Sequence, residues 1–213
     1  MNRYLAIKLQ GVMQAWGGHT YEDLRHSELI PTRSAVLGLL AGCLGIDRSD
    51  SSALEKLSTS VSMAVRIDSE PQRIMDFHTV INARKVDGKP NPNPVVSRRE
   101  YLCDAAYTLL LQIRDGSAYS LDTLAKAIAR PIYTPFLGRR SCPITRPLFE
   151  TFVSGHGFKE AFALIEPVGG VIYSEERLHN HDAVWRLRDE PDYARKRQFA
   201  SRNLYIHSTG KGA

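Results

Sequence analysis

The order of periodic segments in this chain predicts an α+β fold: a split β-α-β core, an insertion within it, and a strand-rich continuation. Three observations carry this expectation. Period-two stretches at Leu5–Leu9, Val61–Ile67 and Tyr107–Ile113 read as strands, while Ala35–Gly45 and Leu121–Ile128 have helical spacing. Between the second and third strands, residues 71–99 follow neither period. The resulting order, strand, helix, strand, insertion, strand, helix, loop, strand, is that of a ferredoxin-like core.

Leu5, Ile7 and Leu9 alternate with Tyr4, Ala6, Lys8 and Gln10, a strand with one face buried and the other open. Gly11 to Gly18 reads as a glycine-bracketed loop. In it Gln14 offers hydrogen bonds to a base, and Trp16 either a stacking surface or a packing plug. Thr32 is the expected N-cap of the next helix, whose stripe is Val36, Leu39, Leu40 and Cys43. Thr32, Arg33 and Ser34 lie at its positive end and form a candidate phosphate seat. Gly38 and Gly42 each cost about 1 kcal/mol relative to alanine in a helix interior, so a close neighbour is expected on that face.

Asp50 to Ser60 reads as a short helix, and the following strand places Arg66 on its open face. In the insertion, Ile74–Ile81 is extended, and Pro90, Pro92 and Pro94 exclude a helix. Arg84, Lys85, Lys89, Arg98 and Arg99 are opposed there only by Asp87. The expectation is an exposed basic protrusion, hairpin-like at its base and poorly ordered alone, or else a surface insertion without a role. After the third strand, Ser120 caps a helix ended by Pro131, and Leu148–Val153 is the fourth strand. A helix at Phe158–Ile165, strands at Val171–Tyr173 and around Trp185 and Leu187, a basic cluster at Arg195–Arg202 and an apolar Leu204–Ile206 complete the chain. The division expected is a core of residues 1–153, with its insertion at about 71–100, and an extension of 154–213 on the same domain; the tail from Ser208 is expected to fray.

A net charge of +5 with 43% hydrophobic and 24% charged residues favours a folded protein with an acidic partner. Cys43, Cys103 and Cys142 are too far apart for a zinc site or a disulfide framework and read as buried thiols. No run approaches the roughly 18 apolar residues of a membrane span, so a cytoplasmic protein is the default. The segment Tyr133 to Pro147 concentrates one glycine, three arginines, several hydroxyls and three prolines. Such a loop suits a polyanion, bringing amides and guanidinium forks to a phosphate, although a rigid turn with solvated arginines has the same make-up.

Six motifs make the reading specific: Met13-Gln-Ala-Trp-Gly17, Pro31-Thr-Arg-Ser34, Arg99-Glu-Tyr-Leu-Cys-Asp104, Tyr133-Thr-Pro-Phe-Leu-Gly-Arg-Arg-Ser-Cys-Pro143, Glu166-Pro-Val-Gly-Gly170 and Arg197-Gln-Phe-Ala-Ser-Arg202. In this order and at these intervals they resemble the CasD subunits of type I-E CRISPR surveillance complexes, known as Cascade. The resemblance runs from about Tyr4 to Ile206. It implies an RRM-related core with a protruding thumb, holding the 5′ handle of the CRISPR RNA without cutting it. It also implies two protein partners, a backbone subunit and the large PAM-reading subunit, with target DNA engaged indirectly. No cofactor, metal or membrane partner is implied.

On that reading, Arg33, Arg139, Arg140 and Arg146 are candidates for phosphate contacts, and Gln14, Trp16, Tyr133 and Ser141 for base or sugar contacts. Thr32, Ser34 and Gly138 line the same segments, Arg84, Lys85, Arg98 and Arg99 belong to the thumb, and Arg197 and Arg202 to the basic cluster near the end. The run Lys89-Pro-Asn-Pro-Asn-Pro94 departs from the family's pattern. The competing class is a metal-independent endoribonuclease, for which His78, Lys85, Tyr101, Tyr133 and His156 are the available acid-base groups. A free-standing RRM-like protein would carry an aromatic set that Tyr107–Ile113 lacks.

Overall fold

The computed structural model describes residues 1–21, 23–195 and 198–209. Twelve strands and four helices follow in the order β1 (Asn2–Gln10), β2 (Met13–Gln14), β3 (Trp16–Tyr21), β4 (Leu24–Glu28), α1 (Arg33–Leu44), α2 (Ser51–Ser60), β5 (Val61–Ser69), β6 (Gln72–Val80), β7 (Val95–Cys103), β8 (Ala106–Ile113), α3 (Leu121–Ala129), β9 (Phe149–Gly155), α4 (Phe158–Ala163), β10 (Gly170–Ser174), β11 (Ala183–Asp192) and β12 (Gln198–Thr209). They form two sheets. The larger is antiparallel throughout, in the order β11-β12-β10-β5-β8-β1-β9. Its β9-β1-β8-β5 part sets the four expected strands in the spatial order fourth, first, third, second, and β10 to β12 continue the same sheet.

Layering explains where simple alternation misleads. Leu5, Ile7, Leu9, Leu109 and Leu111 face Leu37, Leu40, Leu57, Leu124 and Ile128 of α1 to α3 in the main core. On the opposite face, Tyr4, Ala6, Ala64 and Leu110 pack under Phe158 and Phe162 of α4. β1 is therefore buried on both faces, whereas its alternation predicted one open face. Lys8 lies inside, donating to Asp68 (2.8 Å), Thr108 Oγ1 (2.6 Å) and Glu166 O (2.6 Å). Arg66, expected in the open, is likewise 1% exposed and donates to Asp68, Phe162 O and Ile165 O at 2.8–3.0 Å. These partners satisfy the charges that burial would otherwise penalise.

Other expectations are also revised. Gly11–Gly18 is not one loop but contains β2 and the start of β3. A Cβ at Gly38 or Gly42 would meet nothing within 4 Å, so no close approach explains these glycines. Cys43 and Cys142 are buried, but Cys103 is half-buried; burial pushes the Cys43 thiol up to about 11. The insertion is a regular hairpin, β6 pairing β7 without slippage from Gln72↔Cys103 to Val80↔Val95. Its connecting loop has its own bonds, Lys85 N to Lys89 O (2.9 Å) and Asn91 N to Ala83 O (2.7 Å). β7 escaped notice because its charged residues alternate onto both faces. Ser120 caps α3 as expected, accepting from Thr123 N at 3.1 Å. Ser208 and Thr209 belong to β12, and the rest of the tail lies outside the described residues.

Candidate nucleic-acid interface

The smaller sheet, β2-β7-β4-β3 with β6 on the far side of β7, sets the frame for the segment Tyr133–Pro147. The segment folds back on itself, Leu137 N donating to Cys142 O and Cys142 N to Arg139 O, both at 2.8 Å. It joins the sheet where Ala15 N donates to Leu137 O at 3.1 Å. Gly138 makes this approach possible: its φ is +84°, and a Cβ there would lie 1.8 Å from Ala15 O.

Arg139 fastens the loop to the sheet. Its guanidinium lies 4.7 Å above the Tyr101 ring and donates to Glu100 O (2.8 Å) and Arg25 O (3.0 Å). β4 runs parallel to β7 with Arg25 beside Arg99 and Leu24 beside Arg98. Arg99 and Tyr101 share a face of β7 by alternation, so Arg25, Arg99 and Arg139 converge on that face, with Arg140 adjoining. Arg25 and Arg140 are exposed, and neither side chain engages a carboxylate among the described residues. Arg99 is held by Ser97 Oγ at 3.1 Å. Ser141 Oγ lies 3.4 Å from Tyr101 OH. The result is a fixed cationic rim able to receive successive phosphates.

Glu100 holds this frame from behind. Its carboxylate accepts from Ser27 N and Arg73 Nη1, each at 2.9 Å, with His26 3.5 Å away. Burial alone would raise its pKa, but the Ser27 amide and the Arg73 guanidinium outweigh that and hold it below the ordinary 4.5. A carboxylate shifted down stabilises the fold fully above its unfolded pKa, and the contribution is lost as pH falls through the folded value. Glu100→Gln is therefore expected to flatten the acid limb of a stability–pH profile below about pH 4.5. It should also lower the thermal midpoint at neutral pH; a superimposable acid limb would refute the assignment.

Several other expected contacts are not at this rim. Gln14 is fully buried, its Nε2 donating to Leu9 O (3.3 Å) and Ala105 O (2.8 Å). Trp16 is 1% exposed and packs edge-on to Tyr107, so of its two readings the packing plug holds. Thr32 stands at the N-cap position but makes no capping bond. The phosphate seat at α1 already holds an anion: Asp189 Oδ2 accepts from Arg33 N at 2.7 Å. Arg33 itself is 2% exposed, paired with Glu175 and with Glu190 (2.7 Å), and donating to Ser58 O (2.7 Å) and Val61 O (3.0 Å). Burial would depress its pKa, and the two glutamates more than reverse that. Ser34 is half-buried, 3.4 Å from Thr32 Oγ1. Arg202 belongs to the same network, gripping Asp189 at 2.6 and 2.7 Å and Glu175 at 3.2 Å.

Arg146 pairs with Glu150, and Arg98 with Asp23 at 3.1 Å. Tyr133 is 55% exposed beside the end of α1, donating its amide to Gly42 O. Arg84 and Lys85 stand exposed in the hairpin loop. Arg197 lies outside the described residues. Arg25 was missed because it sits in the short polar strand β4, and Arg73 because the apolar residues of β6 follow no strict alternation. Among the described residues no His, Cys, Asp or Glu group is placed to hold a metal ion, and no helix is long and apolar enough to cross a membrane.

Two sheets of α+β topology with an arginine-rimmed loop between strands define the class, and the comparisons fix the family. The model for the family "CRISPR-associated protein (Cas_Cas5)" matches residues 4–205. "CRISPR system Cascade subunit CasD" of Escherichia coli (strain K12) is 44% identical over 219 aligned residues, covering 99% of this chain and 98% of the relative. Two solved structures are similar: "CRISPR RNA-guided surveillance complex" at TM-score 0.77 and 25% identity, covering 96% of this chain and 89% of that one, and "Crystal structure of Cas protein" at 0.68 and 26%, covering 96% and 94%. The chain belongs to the CRISPR-associated protein (Cas_Cas5) family, among its CasD subunits.

Proposed function

We propose that this chain is a non-catalytic RNA-binding subunit of a type I-E Cascade complex, capping the 5′ handle of the CRISPR RNA in the cytoplasm. The observation that carries this reading is the cationic rim: Arg25, Arg99, Arg139 and Arg140, none paired with a carboxylate among the described residues, gathered where the Tyr133–Pro147 loop meets β4 and β7. A single-stranded end needs its phosphates held along a fixed path, and Arg139, anchored by the carbonyls of Glu100 and Arg25, with Arg99 held by Ser97 Oγ, supports one beside the exposed Arg25 and Arg140. The strand order of β9-β1-β8-β5 supports the ferredoxin-like, RRM-related core.

The β6–β7 hairpin is our candidate thumb, with Arg84 and Lys85 at its tip for the guide backbone and the neighbouring backbone subunit. The large PAM-reading subunit would dock alongside, and target DNA would be met through it. A catalytic role gains no support from placement, since the acid-base candidates sit on separate elements. His78 is on β6, Lys85 in the hairpin loop, Tyr101 under Arg139, Tyr133 beside α1, and His156 between β9 and α4.

The decisive variant is Arg25→Ala with Arg140→Ala, because neither guanidinium is bonded to another of the described residues. In particles assembled by co-expression, it should weaken guide-RNA retention and lower the slope of log affinity against log salt by about 1.4, as expected for two lost single-strand phosphate contacts. An unchanged slope, or crosslinks confined to the 3′ hairpin of the RNA, would overturn the reading.

A further inference from the structure

The far end of the larger sheet carries a second row of arginines, on the face that α4 leaves bare. α4 covers only the central strands, through Tyr4, Ala6, Ala64, Leu110 and Ile172. Beyond Ile172 the same face continues across β12 and β11, because Ile172 opposes His207, Val184 opposes Tyr205, and Arg186 opposes Asn203. Alternation turns Leu187 inward, where it is buried, and leaves Arg186 and Arg188 exposed on the outer side. Arg177 lengthens the row, its guanidinium 5.0 Å over the Tyr205 ring and its Nη1 donating to Asn180 O at 3.1 Å. Arg188 is steadied by Phe199 O at 2.9 Å.

Among the described residues none of these three arginines meets a carboxylate, whereas Arg33, Arg66, Arg73, Arg98, Arg146 and Arg202 all do. Asp182 does not neutralise the row, because its oxygens serve His207 (2.9 Å) and the amides of Leu178 (2.8 Å) and His179 (2.7 Å). The arrangement is thus a strip of held, uncompensated cations along a strand hairpin, remote in sequence from the loop at Tyr133–Pro147.

We propose that this strip binds the phosphate backbone of duplex DNA. Arg186 and Arg188 follow one another along β11, Arg188 within the register irregularity that begins after Leu187, and Arg177 lies over the neighbouring strand, an extended arrangement suited to phosphates in series rather than to a single anion. Single-strand sites interleave several open aromatic rings with their cations; here the Tyr205 ring lies under Arg177, and Phe199 is the one aromatic side chain prominently exposed on this hairpin among the described residues. A protein partner would need an apolar centre, and Val184 and Phe199 are the large hydrophobic side chains exposed along this hairpin. Contacts of this kind read no sequence, and would instead raise the residence of the whole particle on DNA.

The test uses guide-loaded particles and a mixed-sequence DNA duplex lacking a target, so it rests on the proposed assembly only for its material. Arg177→Ala/Arg186→Ala/Arg188→Ala should leave guide-RNA content unchanged, weaken duplex binding roughly tenfold or more, and lower the salt slope by about 2.7. Arg186→Ala alone, at a side chain without a bonding partner, should lower the slope by about 0.9. The three lysine replacements should retain most of the slope, since a lysine still serves as a point charge for phosphate. An unchanged slope in both alanine variants would overturn the proposal. So would loss of another protein subunit with duplex binding intact, which would make the strip a protein interface. Loss of guide RNA in these variants would count against this site while leaving the Arg25 and Arg140 experiment to judge the first.

Discussion

Arg33→Ala is expected to destabilise the chain by about 3–5 kcal/mol, the cost of removing one member of a buried, hydrogen-bonded ion network. Removal takes the ion-pair partner from Glu190 and one of three from Glu175, and orphans the carbonyls of Ser58 and Val61, all of which the guanidinium now reaches. Arg202 would still face Asp189 and Glu175, so the network would be left with more negative than positive charge in a site where Arg33 is 2% exposed. Arg33→Lys keeps the charge but cannot spread donors over four acceptors, and should fall between alanine and wild type. The measurement is the urea midpoint at constant m-value. If Arg33→Ala shifts stability by less than about 1 kcal/mol, the network is not a structural anchor. The same residue was a phosphate-binding candidate on sequence alone, and this experiment separates the roles: a stability loss without RNA present belongs to the fold.

Gly138→Ala should abolish guide retention while leaving the larger sheet folded. The added methyl would sit 1.8 Å from Ala15 O at a φ of +84°, so it faces both a backbone clash and a conformation that alanine adopts poorly. Together these cost roughly 2–5 kcal/mol, more than the Ala15–Leu137 bond and the Arg139 contacts can resist. The loop would lift from β2 and carry Arg139 and Arg140 away from Arg25. Guide content of purified particles reads the effect, with circular dichroism as the check on folding. Full guide occupancy in Gly138→Ala particles would mean that the RNA is held without this loop.

The fold was largely legible because its strands and helices declare themselves by period. β1, β5, β8, α1, α3 and α4 all fall where alternation or helical spacing puts them. What stayed hidden depends on partners distant in sequence. Lys8, Arg33 and Arg66 look solvent-facing in any local window, since a charge within an apolar pattern normally marks the wet side. They are buried because groups far along the chain complete them: Asp68 for Lys8, Glu175 and Glu190 for Arg33, and the carbonyls of Phe162 and Ile165 for Arg66, beside its near neighbour Asp68. The residues that the structure gathers at the proposed rim are only partly legible in the sequence. Composition marks Arg139 and Arg140, whereas Arg25 becomes interesting only once β4 is seen lying beside β7. Gln14 and Trp16 were misassigned for the converse reason, since a polar amide and an indole in a glycine-flanked stretch carry no sign of the core that closes over them.

The carboxylate of Asp189 at the opening amide of α1 joins positions 156 residues apart, and the Arg33–Glu175 pair spans 142. During synthesis from the N-terminus, the first helix therefore leaves the ribosome long before the groups that neutralise it exist. Until β10 and β11 arrive, the nascent chain carries an unmatched guanidinium at what will become its interior, so its early segments cannot settle irreversibly. The ion network around the start of α1 can close only once Glu175, Asp189 and Glu190 are in place.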